Sequence, residues 1–511
     1  MSQIEQAIPE SSPIWRPKMP FLKNYFAKIP EKSRTSSAIA YMASLDAIFA
    51  HSPEIAQSIV QELKDQRSYL KLIASENFSS LPVQLAMGNL LTDKYSEGFP
   101  KHRFYAGCDN VDAIEAMAVD LAKKIFGAEH AYVQPHSGAD ANLVAFWAVL
   151  VQKIQSKEVE ALGKKTVDEL SPEEYERVRK LLVSQKVMGM DLGSGGHLTH
   201  GYRHNISSKI FQSVSYGVNE KTGLIDYKEL ETQVMREKPL ILIAGYSAYS
   251  RLIDFAKMRD IADRAGAVLM VDMAHFAGLV AGKVMKGNYN PVPFAHILTS
   301  TTHKTLRGPR GGLILCAAEY RDVVNKGCPI VLGGPLPHVM AAKAIAFQEA
   351  AQPEFSKYAF QIVENAQELA SSLMELGAHL LTNGTDNHLL VIDVAKSFGL
   401  TGRQAETLLR EAHLTVNRNM VPKDANGPWY TSGVRIGTPA ITTLGMKGMQ
   451  MKEIGSILFD LLKEARPTDD PKTGGASRAK VDVPPHVVQR ARERVREVLS
   501  EFPLYPELVI D

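Results

Sequence analysis

The chain has 511 residues, room for two or three domains and an ample core. Its 58 Lys and Arg against 56 Asp and Glu leave a formal charge of +2, which argues against a nucleic-acid binder working by bulk charge. Charged residues at 22% and hydrophobic ones at 45% exclude long disorder and a coiled coil. Three cysteines, Cys108, Cys316 and Cys328, give neither a disulfide framework nor metal-ligand spacing, so a reducing compartment is expected.

The opening MSQIEQAIPESSP carries two Glu and no apolar run, so neither a secretory signal nor an Arg-rich transit peptide is expected. Residues 1–42, rich in Pro, Lys and Ser without sustained period, read as an N-terminal extension. Ile48, Ile55, Ile59 and Leu63 then recur at helical spacing and lead into LIASENFSS. QPHSGADAN, Gln134 to Asn142, places small residues at a loop-to-helix junction. There the free N–H groups and helix dipole suit a phosphate, with Ser137 and Gly138 as its donors; a plain helix cap is the simpler alternative.

No apolar stretch reaches the roughly 20 residues of a bilayer span; Ala141 to Val151 is among the longest. Residues 152–187 are charged and contain SPEEYERVRKLL, where Ser171, Pro172 and Glu174 spell a capped surface helix inserted into a sheet domain. Next come apolar runs of strand length: PLILIAGYSAYS from Pro239, AVLMVDMAH from Ala267, HILTSTTHK from His296 and GGLILC from Gly311. All read as buried parallel strands. Helix-like runs between them place the region in the α/β class, whose ligands sit beyond the carboxyl ends of strands. The expected architecture is a three-layer large domain over 43–340 with a mostly parallel sheet, then a smaller α/β C-terminal domain over 341–511. In the latter, HLLVIDV is the clearest strand and PTDDPKTGGASRAK a polar loop before a last amphipathic helix.

Two strand ends carry chemistry. Asp272 closes one apolar strand, where an ionised carboxylate needs a cationic or hydrogen-bonding partner such as a protonated pyridine nitrogen; capping the following turn is an equally open reading. Lys304 closes another after Thr299, Ser300, Thr301, Thr302 and His303, and a lysine desolvated there can lose its proton and hold an aldehyde as a Schiff base. A phosphate loop, a strand-end Asp and a strand-end Lys 32 residues later are the three handles pyridoxal phosphate requires. GGHLTHG offers His197 to lie flat on a pyridine ring, and SGVRIGTPA offers Arg435 to fork onto a substrate carboxylate. KYSEGFPKHRFYAG gathers Tyr95, Glu97 and Tyr105 in a loop too polar for a core strand.

Taken in order, LIASEN, KYSEGFP, QPHSG, GGHLTHG, SAYS, VDMAH, TTHKTLRGPRGG and VRIGTPA resemble serine hydroxymethyltransferase from about Leu45 to near the C-terminus, leaving 1–42 and 152–187 uncovered. The resemblance implies a pyridoxal-phosphate enzyme of fold type I, the aspartate-aminotransferase type, active as a homodimer or homotetramer in the cytoplasm, with no nucleic-acid or membrane partner. It implies Lys304 as the Schiff-base lysine, Asp272 as partner of the ring nitrogen, His197 stacked on the ring, and Ser247, His275 and Thr301 as further cofactor contacts. The phosphate would be held by Ser137 and Gly138, joined across a dimer interface by Tyr95 and Gly334. Arg435 would take the substrate carboxylate with Ser75 and Tyr105, and Glu97 would serve as acid and base near the serine hydroxyl. Tetrahydrofolate would rest on Leu192, Gly196, Leu198 and Asn419, and Arg310 would order the lysine-bearing loop. Two positions depart from the family: Ala139 stands where a hydroxyl is usual on the phosphate loop, and Ile330, Val331 and Leu332 replace its usual glycines and glutamine.

The implied reaction is reversible conversion of L-serine and tetrahydrofolate to glycine and 5,10-methylenetetrahydrofolate, with side activity on alanine and 3-hydroxy amino acids. A threonine-type aldolase, an alanine racemase, or a non-catalytic regulator that grips RNA or a partner protein are the competing readings.

Overall fold

A computed structural model describes residues 20–469 and 474–510. The chain divides into two compact units, one of residues 1–70 with 496–511 and one of residues 71–495.

The described part of the first unit is helical. Helix α1, Phe21–Lys28, buries Phe21 and Tyr25 at i and i+4. Helix α2, Ser36–His51, is capped by Thr35, and α3, Pro53–Ser68, follows a break at Ser52, which caps it with Pro53 in the first turn. Asp46 accepts from the backbone N–H of Phe21 and Leu22 at 2.7 and 3.0 Å, satisfying donors that the start of α1 leaves free. The irregular reading of 1–42 is thus corrected for 20–42, where buried aromatics a turn apart set a helix that composition hides. Residues 1–19 lie outside the described residues.

The second unit is built on a seven-stranded sheet. Its strands are β1, His130–Tyr132; β2, Lys186–Met190; β3, Gln212–Tyr216; β4, Ile241–Gly245; β5, Val268–Asp272; β6, Ile297–Thr301; and β7, Gly312–Cys316. They run in the spatial order β1-β7-β6-β5-β4-β2-β3. Strands β2 to β6 are mutually parallel. Strand β7 is antiparallel to both β6 and β1, which corrects the expectation that GGLILC is a parallel strand. Alternate residues feed two cores: Leu269 and Val271 one, Val268 and Met270 the other. The first face is covered by α4, Asp109–Phe126, together with α7, Phe255–Ala265, and the second by α5, Gly138–Leu150. Both faces being covered explains why these strands are apolar throughout.

The charged stretch after α5 is helical as expected, and Ser171 and Glu174 close both bonds of a capping box on α6, Pro172–Val183. Helix α8, Pro337–Ala350, precedes α9, Pro353–Glu375. Then come β8, Leu389–Asp393, β9, Asn417–Asn419, and β10, Gly433–Gly437, an antiparallel sheet with β10 central. The expected loop at 467–480 is instead a hairpin of β11, Arg466–Asp469, and β12, Ala476–Asp482, with 470–473 outside the described residues. Its alternation runs between exposed and half-buried positions, so no apolar period marks it. A last helix, Pro485–Glu501, follows.

Candidate active site

Register aligns the parallel strand ends: Gly245 pairs with Asp272, and Asp272 with Thr299. Just beyond this edge lies a cavity of about 290 Å³. Of the residues singled out in the sequence, Ser75, Ser137, Gly138, His197, Ser247, Asp272, His275, Thr301, Lys304 and Arg310 line it; Ala139 does so too. Glu76, Tyr246 and His303 also line it and carried no assignment.

Lys304 is brought here by the end of β6, and its carbonyl accepts from Asn77 Nδ2 at 2.9 Å, so the LIASEN segment anchors the lysine's backbone. Burial pulls the amine down to about 8; Asp272 opposes this, while the Arg435 and Arg310 guanidiniums add to it. Such an amine is a usable nucleophile near neutral pH.

Asp272 Oδ2 accepts from Asn142 Nδ2 at 3.0 Å and His200 Nε2 at 3.1 Å, and Oδ1 accepts from the Ala274 N–H at 3.1 Å. Burial works to raise its pKa, but the bond and charge of His200, with His197 and Asn142, hold the carboxyl well below the usual range. His197, His200 and Asp272 have the makings of a metal triad. Three of their four ring nitrogens are already hydrogen-bonded: His200 Nε2 to Asp272, His200 Nδ1, which accepts from the His197 N–H, and His197 Nδ1, which accepts from the Thr199 N–H at 3.2 Å. Asn142 Nδ2 also donates to Thr199 Oγ1 at 2.6 Å, and Thr299 Oγ1 donates to Asn142 Oδ1 at 2.5 Å. One amide therefore ties Asp272, the loop of His197 and strand β6 together. Burial lowers His197 to about 4 against the opposing charge of Asp272, so the ring is neutral.

At the start of α5, Ser137 Oγ accepts from the Asp140 N–H at 3.1 Å, which leaves its hydroxyl proton to donate. A Cβ on Gly138 would meet Thr301 Cγ2 at 2.8 Å, so only glycine lets the helix N-terminus sit this close to β6. Beneath the loop, Lys343 of α8 is 1% exposed and donates to the carbonyls of Val133, Pro135 and Gly312 at 2.6, 2.9 and 2.8 Å.

Arg435 lies on β10 behind Ser247 rather than in the cavity wall; it donates to the Ser247 carbonyl and, through Nε, to Asn417 Oδ1 at 2.9 Å. Among the described residues it has no carboxylate within ion-pair distance, although burial already pulls the guanidinium down to about 10. Tyr95, Glu97 and Tyr105 form a cluster apart from the cavity: the two phenols donate to Glu97 at 3.3 and 3.4 Å, and Gly334 backs onto the Tyr95 ring. Leu192, Gly196, Leu198 and Asn419 do not line the cavity either. Leu198 is 45% exposed, and a Cβ on Gly196 would run into the Met190 carbonyl.

Asn142, His200 and Lys343 were given no role by the sequence reading. Asn142 stands one helical turn after Gly138 and His200 three residues after His197, spacings that place each on the side of a residue already singled out.

A desolvated strand-end lysine, a carboxylate held ionised and a helix N-terminus with a spare hydroxyl match the aldehyde, ring nitrogen and phosphate of pyridoxal phosphate. With the sheet topology, they define a fold-type-I pyridoxal-phosphate enzyme. The serine hydroxymethyltransferase family model matches residues 48–160 and 175–458, so the unmatched internal segment, 161–174, is shorter than the 152–187 expected. The chain is 58% identical to the serine hydroxymethyltransferase of Treponema pallidum (strain Nichols) over 473 residues, 93% of this chain and 82% of that protein. It is 54% identical to that of Chlamydia trachomatis serovar L2 over 492 residues, 96% of this chain and 99% of the other, and 53% identical to that of Chlamydia muridarum over the same shares. The chain belongs to the serine hydroxymethyltransferase family.

Proposed function

We propose that this enzyme transfers the hydroxymethyl carbon of L-serine to tetrahydrofolate, reversibly giving glycine and 5,10-methylenetetrahydrofolate, in a site that holds pyridoxal 5'-phosphate on Lys304. The observation that carries this reading is the Lys304 amine lowered to about 8 beside an Asp272 carboxylate that stays ionised. When bound, the cofactor supplies a ring that takes up the electron pair of a bond broken at the substrate's α-carbon.

Asp272 would keep a proton on the ring nitrogen by offering a fixed negative charge where water screens it little. His197 would rest its neutral imidazole on the ring face, Ser247, His275 and Thr301 would contact the cofactor, and Ser137 and Gly138 would donate to the phosphate. Arg435 meets the substrate carboxylate, the partner its guanidinium lacks, with Ser75 and Tyr105 helping, and so fixes which α-carbon bond is aligned for cleavage. The same alignment permits slow side reactions on alanine and 3-hydroxy amino acids. Glu97 manages the hydroxyl proton of serine. Tetrahydrofolate rests on Leu192, Gly196, Leu198 and Asn419.

The cluster of Tyr95, Glu97, Tyr105 and Gly334 sits apart from its own chain's cavity and exposes two tyrosines at 58% and 46%, which supports a homodimer or homotetramer in which it completes the cavity of a second copy. Residues 43–340 would form the large domain and 341–511 the small one. Among the described residues no helix is long and apolar enough to cross a membrane. A cytoplasmic enzyme without nucleic-acid partner fits the near-neutral charge.

Glycine formation from serine, assayed with and without tetrahydrofolate after loading with excess cofactor, tests the reading. Tetrahydrofolate should raise serine cleavage severalfold, and Lys304→Ala should abolish both turnover and the absorbance of lysine-linked cofactor. Indifference to folate would favour an aldolase or racemase, and turnover by Lys304→Ala would refute the lysine's role.

A further inference from the structure

His275 lies three residues past the end of β5, and His388 immediately precedes β8. The two are 113 residues apart in sequence, yet His275 Nδ1 and His388 Nε2 are 3.1 Å apart, with ring centroids at 5.3 Å and planes tilted by 31°. His275 is 3% exposed and lines the cavity; His388 is fully buried and does not. Burial, with the nearby cations Lys304 and Arg435, holds both imidazoles below their ordinary pKa, His388 at about 3, so each ring carries one proton at neutral pH.

Two arrangements of those protons are possible. If His275 donated, the proton of His388 would sit on its Nδ1, a buried atom with no hydrogen-bond partner among the described residues. A buried N–H without an acceptor is among the rarest defects in folded proteins, whereas a bare ring lone pair is tolerated. If His388 donates from Nε2, only such a lone pair is left over. His275 must then keep its proton on Nε2, the one nitrogen left to face the cavity.

We propose that His388 is a positioning residue: its Nε2–H bond to His275 Nδ1 locks His275 in the Nε2–H tautomer, so that the cavity is offered a hydrogen-bond donor, fitted to the phenolic oxygen of the cofactor. The inference rests on the cofactor reading given above, and it explains why a histidine with no access to the cavity is buried behind it. A histidine's second nitrogen is commonly what fixes the role of the first.

The test uses the full-length enzyme with 15N-labelled histidine, cofactor-free and loaded, and two variants. His388→Gln keeps an N–H donor at about the reach of Nε2; His388→Met fills similar space without one. Nitrogen NMR of the unmodified enzyme should show His275 with a bare Nδ1 and a protonated Nε2 in both states. His388→Gln should keep that tautomer and retain kcat/KM for serine within about twofold. His388→Met should mix the tautomers and lower kcat/KM about tenfold, the loss expected for one misdirected hydrogen bond. A protonated Nδ1 on His275, or equal impairment of the Gln and Met variants, would overturn the proposal. Should the Met variant fail to fold, the spectrum of the unmodified enzyme still decides. Should no cofactor load, the cofactor-free spectrum decides the tautomer independently.

Discussion

The proposed capture of an aldehyde by Lys304 at neutral pH would need a low pKa in the company of a carboxylate; burial supplies the first and Asp272 the second. With its amine at about 8, roughly one molecule in ten carries the free base at pH 7, against fewer than about one in a thousand for an ordinary lysine. Loading of pyridoxal phosphate onto cofactor-free enzyme should therefore accelerate about tenfold from pH 6 to 7 and level off above 8, measured by stopped-flow absorbance. Asn142 should matter nearly as much as the residues it holds. Asn142→Leu leaves Asp272, Thr199 and Thr299 short of partners and is expected to cost about 2 kcal/mol of stability or more, with at least a tenfold drop in turnover. Urea unfolding and steady-state kinetics check the two halves. Lys304, Asp272, Ser137 and Gly138 were readable in the sequence because their settings are local: a strand end or a helix start. Asn142, His200 and His388 were not, since their partners lie 130, 72 and 113 residues away.

At the scale of elements, strands β4 to β6 announce themselves as continuous apolar runs, because both their faces are covered. The same property conceals direction: GGLILC is as apolar as its neighbours, and only hydrogen bonding reveals that β7 runs against them. The β11–β12 hairpin fails differently, having no core face to imprint a period. Helix α8 carries a device no pattern suggests, the Lys343 ammonium capping three carbonyls of two converging segments. Lys343→Met would remove all three bonds, although the Pro135 carbonyl keeps the Gly312 N–H, and at about 1 kcal/mol each the loss should reach about 3 kcal/mol. Because two of those carbonyls belong to the approach to Ser137, weaker cofactor retention on dialysis should accompany the lower Tm.

For the molecule as a whole, the buried histidine pair makes acid a denaturant. His275 and His388 are buried and neutral, with folded-state pKa values below the ordinary 6.5. The unfolded chain takes up protons below that value while the folded chain does not, so stability falls as pH drops through it. Each imidazole contributes about 1.4 kcal/mol per pH unit. The Tm of cofactor-free enzyme should decline steeply between pH 6.5 and 5, and His388→Gln should flatten the slope by about one proton's worth, read by scanning calorimetry.

The amide of Asn142 joins the Asp272 carboxylate to the loop that carries His197 and to strand β6, so these parts of the pocket behave as a single casting. Arg435 and His388 belong to other segments and answer to other neighbours. An engineer seeking a different bond to cleave, or a different amino acid to accept, has freedom on that side and little on the casting, where one altered atom would disturb Asp272, Thr199 and Thr299 at once.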